Sequence, residues 1–168
     1  MTSTVADMSA RVAVIGSNSF SAAHFIDLLL EEGRSEVLGL SRSPEYPASL
    51  LAYAQRKSSA YRFVQVDLNT QLERLLAELD SFKPTYVVNF AAQGEVRSSF
   101  EHPDHHFRTN ALGTVAFVEQ LRRRKYLERY VHISTPEVYG SVSEKMTESR
   151  CYRPSSPYAA SKASADLF

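Results

Sequence analysis

Short apolar runs alternate along this chain with longer stretches in which apolar residues recur every three or four positions. Arg11 to Gly16 (RVAVIG), Glu36 to Leu40, Tyr61 to Val66 (YRFVQV), Thr85 to Phe90 (TYVVNF) and Tyr130 to Ser134 have the length and composition of strands. Ser19 to Glu32 reads as a helix with Phe20, Ala23, Ile26, Leu29 and Leu30 on one face and Gly33 as its stop. A loop with Pro44 and Pro47 leads to a short helix around Leu50 to Arg56. Further helices are expected over Gln71 to Ser81, over a long segment from Asp104 to Arg124, and from near Ser156 to the last residue, Phe168.

Strands apolar on both faces and separated by helices predict a parallel sheet covered on both sides. Right-handed crossovers then lead to an α/β, doubly wound sheet of the Rossmann kind, with strand order 3-2-1-4-5. Ligands of such sheets lie at the carboxyl ends of the strands, beside the switch between strands 1 and 4.

Composition narrows the class. The 168 residues carry 19 basic and 19 acidic side chains and are 43% hydrophobic, as expected of one soluble domain over 11–168 after a polar, disordered leader at 1–10. Balanced charge argues against a nucleic-acid or membrane-surface protein. A single cysteine, Cys151, with no apolar run of ~20 residues, points to a cytoplasmic setting. His102, Asp104, His105 and His106 crowd a helix entrance, where no metal is expected; Arg122 to Lys125 complement a helix C-terminus.

Chemistry concentrates near the end. Tyr158 and Lys162 stand four residues apart, one helical turn. A cation beside a phenol favours the phenolate, so Tyr158 reads as a base, with the Thr135 hydroxyl at the end of strand 5 to share its proton. Such a base serves an alcohol being oxidised, which requires a hydride acceptor.

The pieces VIGSNSFSA, VDL at Asp67, NFAAQ at Asn89 to Gln93, TNALGT around Asn110, HISTPEVYG at His132 to Gly140, and YAASK occur in one order at strand ends. With them the chain resembles the extended short-chain dehydrogenase/reductases, within the NAD(P)-dependent nucleotide-sugar epimerase/dehydratase group. AAQ at Ala91 to Gln93 and VRSSFEHP at Val96 to Pro103 look like the GDP-mannose and CDP-glucose 4,6-dehydratase branch.

The resemblance implies roles. Thr135, Tyr158 and Lys162 match the oxidoreductase triad, Asn110 completes a tetrad, and Glu137 matches the base that takes the sugar C5 proton. Gly16, Ser19 and Ala22 stand where the family has Gly-x-x-Gly-x-x-Gly, with Phe20 between them. Serine at the second position would be strained if it needed positive φ, and the stretch also reads as an ordinary turn with Ser19 as N-cap. Ser41-Arg42-Ser43 replaces the acidic residue that would hold the NAD ribose, which favours NADP, with NAD possible; a solvated loop arginine is the alternative. Asp67 and Leu68 match the adenine contacts, with Asp67 alternatively a helix cap; Ala91, Ala92 and Gln93 match the wall at strand 4.

Pro136 replaces an acid found in many 4,6-dehydratases. The implied function is a nucleotide-sugar 4,6-dehydratase, with an epimerase, a decarboxylase or a non-catalytic dinucleotide-binding piece as alternatives. Members of this group are about twice as long, so a truncated sheet and an absent substrate domain are expected, leaving these 168 residues inactive by themselves. Association as a homodimer through the long helix and the last helix is expected too, with a nucleotide-sugar as substrate.

Overall fold

The structure, a computed structural model, describes residues 10–168. Strands β1 (Ala10–Ile15), β2 (Ser35–Ser41), β3 (Tyr61–Gln65), β4 (Tyr86–Asn89) and β5 (Arg129–His132) form one parallel sheet in the expected order β3-β2-β1-β4-β5. Apart from Ala10, which already belongs to β1, the expected leader lies outside the described residues.

Side chains alternate across β1. Val12 and Val14 pack with Ala23, Ile26 and Val37 on one face, while Ala13 and Ile15 meet Leu38, Leu75, Leu79 and Phe117 on the other. Both faces are buried from Val12 to Ile15, which is why that part of the strand is apolar without interruption. Each fully buried aliphatic or aromatic side chain contributes about 1.5–3 kcal/mol. The register brings Ile15 level with Leu40 and Asn89, and Asn89 level with His132. Four strands therefore end on one line, and the polar residues that follow them open onto one edge.

Helix α1 (Phe20–Glu32) ends on Gly33 at φ 66°, the expected left-handed stop. Its buried residues are Ala22, Ala23 and Ile26, whereas Phe20 is 80% exposed with its ring against His24. Phe20 is thus not on the buried face: at the first helical position the chain is still emerging from the loop. The expected helix near Leu50 is instead two 3-10 turns, Ala48–Leu50 and Ala52–Arg56, and α2 covers Leu72–Phe82.

The expected long helix is present as one continuous helical run from Pro103 to Leu121, preceded by a separate short helix, and departs from expectation in its winding. Helix α3 (Val96–Glu101) stops at His102, Pro103 restarts the chain as α4 (Pro103–His106), a π-helical stretch follows at Phe107–Gly113, and α5 runs over Thr114–Leu121. A π stretch is an insertion into an α-helix, stable only where something outside it compensates. Here that is Asn110, wholly buried and bonded to neighbouring elements. Helix α6 (Pro157–Leu167) starts with Ser156, whose Oγ accepts from the Ala159 N–H at 3.1 Å. The arginines of the basic run after α5 are paired locally: Arg122 and Arg123 with Glu119, and Arg124 with Asp80.

Candidate functional site

The turn after β1 is built around Gly16, at φ 78°. A Cβ there would lie 2.6 Å from the Ala91 nitrogen and 2.9 Å from the Phe90 carbonyl carbon, so only glycine lets the loop pass this close to the end of β4. Ser19 needs no such freedom. It has φ −70°, serves as N-cap, and its Oγ accepts from the Ala22 N–H at 3.3 Å, so the expected strain is absent. Ala22 is buried where α1 meets the sheet, the position at which a small side chain matters for packing. Asn18, not anticipated from sequence, donates to Ser43 Oγ at 2.8 Å and Pro44 O at 2.7 Å, tying this loop to the segment after β2.

The loop faces a cavity of about 190 Å³ lined by Gly16, Ser19, Ser41, Arg42, Asp67, Leu68, Ala91 and Ala92, with Tyr46 and Thr109 completing the wall. Phe20, Ala22, Gln93 and Lys162 are not part of the lining. Arg42 is exposed at the rim, and among the described residues no carboxylate pairs with it. Asp67 is no helix cap: its Oδ1 accepts from the Asn69 N–H at 2.7 Å, and Gln71 takes the position before α2. A dinucleotide suits this donor set. The α1 N-terminus and Arg42 offer positive charge to phosphates, Asp67 offers a carboxylate at the far end, and the bare Gly16 leaves the space between open.

At the other end Asn110 accepts from the Gln93 N–H at 2.7 Å, returns a bond to the Gln93 carbonyl at 3.0 Å, and donates to Ser161 Oγ at 2.9 Å. It locks β4's trailing loop, the π stretch and α6 together. Gln93 therefore acts through its main chain, as a strut behind the crevice.

Lys162 is buried at 2% exposure, its Nζ donating to the Ile133 carbonyl at 2.7 Å and meeting His132 Nε2 at 3.1 Å. Burial pushes its pKa down to about 8, against the pull of Asp166 upward. Tyr158 lies one turn earlier on α6 with its ring edge-on to His106, 6.1 Å between centroids. Thr135 Oγ1 accepts from the Glu137 N–H at 3.3 Å, capping the turn Pro136–Tyr139 that presents Glu137 to solvent. Among the described residues no hydrogen bond joins the Tyr158 hydroxyl to Thr135 or Lys162. The lysine satisfies its buried charge on β5 instead, as a desolvated ammonium must.

Sequence reasoning passed over His132, Tyr130 and Asn89, although two of them lie in the quoted segments. Tyr130 OH stands 3.1 Å from His132 Nδ1 and 2.9 Å from Asn89 Nδ2. Burial and the Lys162 charge push His132 down to about 4, so it stays neutral at ordinary pH. The sequence signal was there: polar side chains at the carboxyl ends of sheet strands demand partners.

The model of a family described as GDP-mannose 4,6 dehydratase matches residues 14–168. The chain belongs to the GDP-mannose 4,6 dehydratase family. Its similarity to this family's relatives extends over most of its length. A dTDP-glucose 4,6-dehydratase of Mycobacterium tuberculosis is 34% identical over 169 residues, covering 94% of this chain and 47% of that protein. The Homo sapiens dTDP-D-glucose 4,6-dehydratase is 34% identical over 162 residues, covering 94% and 45%. Among solved structures, the Streptomyces venezuelae DesIV double mutant, a dTDP-glucose 4,6-dehydratase with NAD and DAU bound, superposes with TM-score 0.82 at 32% identity, covering 94% of this chain and 49% of that one. The Thermus thermophilus UDP-glucose 4-epimerase complex with NAD gives TM-score 0.79 at 32% identity, covering 94% and 49%. The chain spans about half the length of the curated relatives it matches. Among the described residues no helix is long and apolar enough to cross a membrane.

Proposed function

We propose that this chain forms the dinucleotide-binding half of a nucleotide-sugar 4,6-dehydratase. The observation that carries the reading is the left-handed turn at Gly16 against Ala91, which keeps the crevice at the strand ends open beside Arg42 and Asp67. Gly16, Ser19, Ser41, Arg42, Asp67, Leu68, Ala91 and Ala92 would hold the dinucleotide, which would supply a reversible hydride acceptor for oxidation at the sugar C4 and reduction at C6.

Tyr158 takes the proton of the 4-hydroxyl and becomes the neutral phenol, with Lys162 one helical turn away as the neighbouring cation. Thr135 shares a hydrogen bond with the same hydroxyl, and Asn110 holds α6 in register with the crevice. Glu137 removes the C5 proton made acidic by the C4 ketone. Because Pro136 has no proton to give, Glu137 also delivers one to the departing C6 hydroxyl, which leaves as water, and C5 regains a proton from solvent through Glu137 as C6 is reduced.

We further propose NADP over NAD, on the strength of the unpaired Arg42 cation. The structures matched above contain NAD, so calorimetry with both dinucleotides is the deciding test. We expect measurable binding, tighter for NADP, with Arg42→Ala lowering NADP affinity roughly ten- to hundredfold, as a lost charge-assisted bond of about 1.5–3 kcal/mol requires, and leaving NAD unchanged. Binding of neither dinucleotide would overturn the reading, and tighter NAD binding would remove the NADP preference alone.

The Thermus thermophilus match favours a 4-epimerase as the second reading. Glu137 separates them: in the full-length enzyme Glu137→Gln stops elimination and leaves the first hydride step, whereas an epimerase loses nothing. A cytoplasmic homodimer belongs to the same proposal. The exposed Phe100, Phe107 and Leu112 on the long helical segment and Leu167 on α6 supply an apolar face for it, checked by sedimentation.

A further inference from the structure

The groups behind Lys162 form a hydrogen-bonded row with both ends fixed. At one end, Lys162 Nζ holds the Ile133 carbonyl at 2.7 Å. At the other, Asn89 Oδ1 accepts from the Ala91 N–H at 2.9 Å, which orients the amide so that its Nδ2 donates to Tyr130 OH at 2.9 Å. Between the ends stand His132 and Tyr130, with Nε2 3.1 Å from the lysine and Nδ1 3.1 Å from the phenol.

Two proton arrangements are compatible with the spacings of this row. With an ammonium, two N–H bonds of Lys162 go to Ile133 and to His132 Nε2; the imidazole then carries its hydrogen on Nδ1 and donates to Tyr130, whose own hydroxyl hydrogen turns out of the row. With a neutral amine, the lone pair of Lys162 accepts from Nε2–H, and Nδ1 accepts from the Tyr130 hydroxyl. One N–H still points to Ile133. The imidazole holds a single proton in both cases, so the proton that differs is the one Lys162 releases to solvent.

We propose that His132 is a positioning residue that keeps Lys162 in place in either protonation state by exchanging one imidazole tautomer for the other. The inference rests on the reading of Lys162 as part of the active site. The charged group facing this pair besides Lys162 is Asp166 on α6, 3.8 Å from His132 Nε2 and held by the Ser134 hydroxyl; Tyr158 lies one turn away on the same helix, and β4 contributes only the neutral Asn89. Burial brings Lys162 down to about 8 while holding His132 near 4, so across the range between pH 6 and 10 it is the lysine that titrates.

Long-range proton–nitrogen correlation of the chain labelled with 15N-histidine reads the tautomer directly and needs no cofactor. We expect Nδ1–H at pH 6, Nε2–H at pH 10, a midpoint near pH 8, and loss of the step in Lys162→Met. One tautomer throughout, formation of the imidazolium within this range, or an unchanged step in Lys162→Met would overturn the proposal. Should that variant fail to fold, the wild-type step must coincide with the titration of the Lys162 amine followed by its own 15N shift; a mismatch overturns it equally. A tautomer step in a chain that binds no dinucleotide would sink the functional reading and leave this one standing.

Discussion

Gly16→Ala and Gly33→Ala form a matched pair that tests whether the phosphate loop is held by contact or by conformation alone. Both glycines have φ in the left-handed region, 78° and 66°, so each alanine costs roughly 1–2 kcal/mol for the backbone conformation. Only at Gly16 does the new methyl meet anything. It would sit 2.6 Å from Ala91 N, 2.8 Å from Ala91 Cα and 2.9 Å from Phe90 C, all main-chain atoms that no rotamer can move aside, whereas at Gly33 nothing lies within 4 Å. Overpacking of this kind costs about 1–3 kcal/mol more, and relief requires the end of β4 to shift. With a urea dependence of about 1–3 kcal/mol per molar, the Gly16→Ala midpoint should fall below that of Gly33→Ala by roughly 1 M. The displaced strand end is also the crevice wall, so dinucleotide affinity should drop at least about tenfold, or about 1.4 kcal/mol, in Gly16→Ala and stay unchanged in Gly33→Ala. Equal midpoints in the two variants, or undiminished binding in Gly16→Ala, would refute the argument that the turn exists to admit the close approach.

Three further outcomes follow from buried polar groups. Lys162 is held below its ordinary 10.5 at about 8, so the unfolded chain binds more protons between these values and stability rises with pH across that window; Lys162→Met should therefore stabilise the protein at pH 7 by on the order of 3 kcal/mol, an advantage more than halved by pH 9.5 in urea melts. His132 is held below 6.5 at about 4, so the stability it contributes is lost as pH falls from 6.5 toward 4, and His132→Asn should flatten that part of the acid limb in the same melts. Asn110→Ala strands the Gln93 N–H and carbonyl in the interior and should cost about 2–4 kcal/mol, with raised hydrogen exchange in the π stretch and at the start of α6.

The sheet order was legible because burial on both faces forces each strand to be apolar and each crossover to be right-handed, and those constraints act locally along the chain. The stops were legible for the same reason: Gly33 terminates α1 through its own backbone freedom, and Ser156 starts α6 through its own hydroxyl. The change of winding in the long helix was not, since the π stretch depends on Asn110 finding Gln93 and Ser161, residues remote in sequence. Nor was the behaviour of Ser19, whose φ depends on how far the loop has already turned at Gly16.

By itself, then, the sequence determined a parallel α/β sheet, its strand order and the polar residues at its carboxyl edge, because periodicity and chirality are properties of neighbouring residues. Tertiary structure alone decided which of those residues meet. It pressed Gly16 against Ala91, bound Lys162 to His132 and Ile133, and joined Asn89 to Tyr130 across two strands. The physical reason is that a buried donor or charge takes whichever partner the packed interior brings within about 3 Å, and sequence spacing carries no measure of that distance.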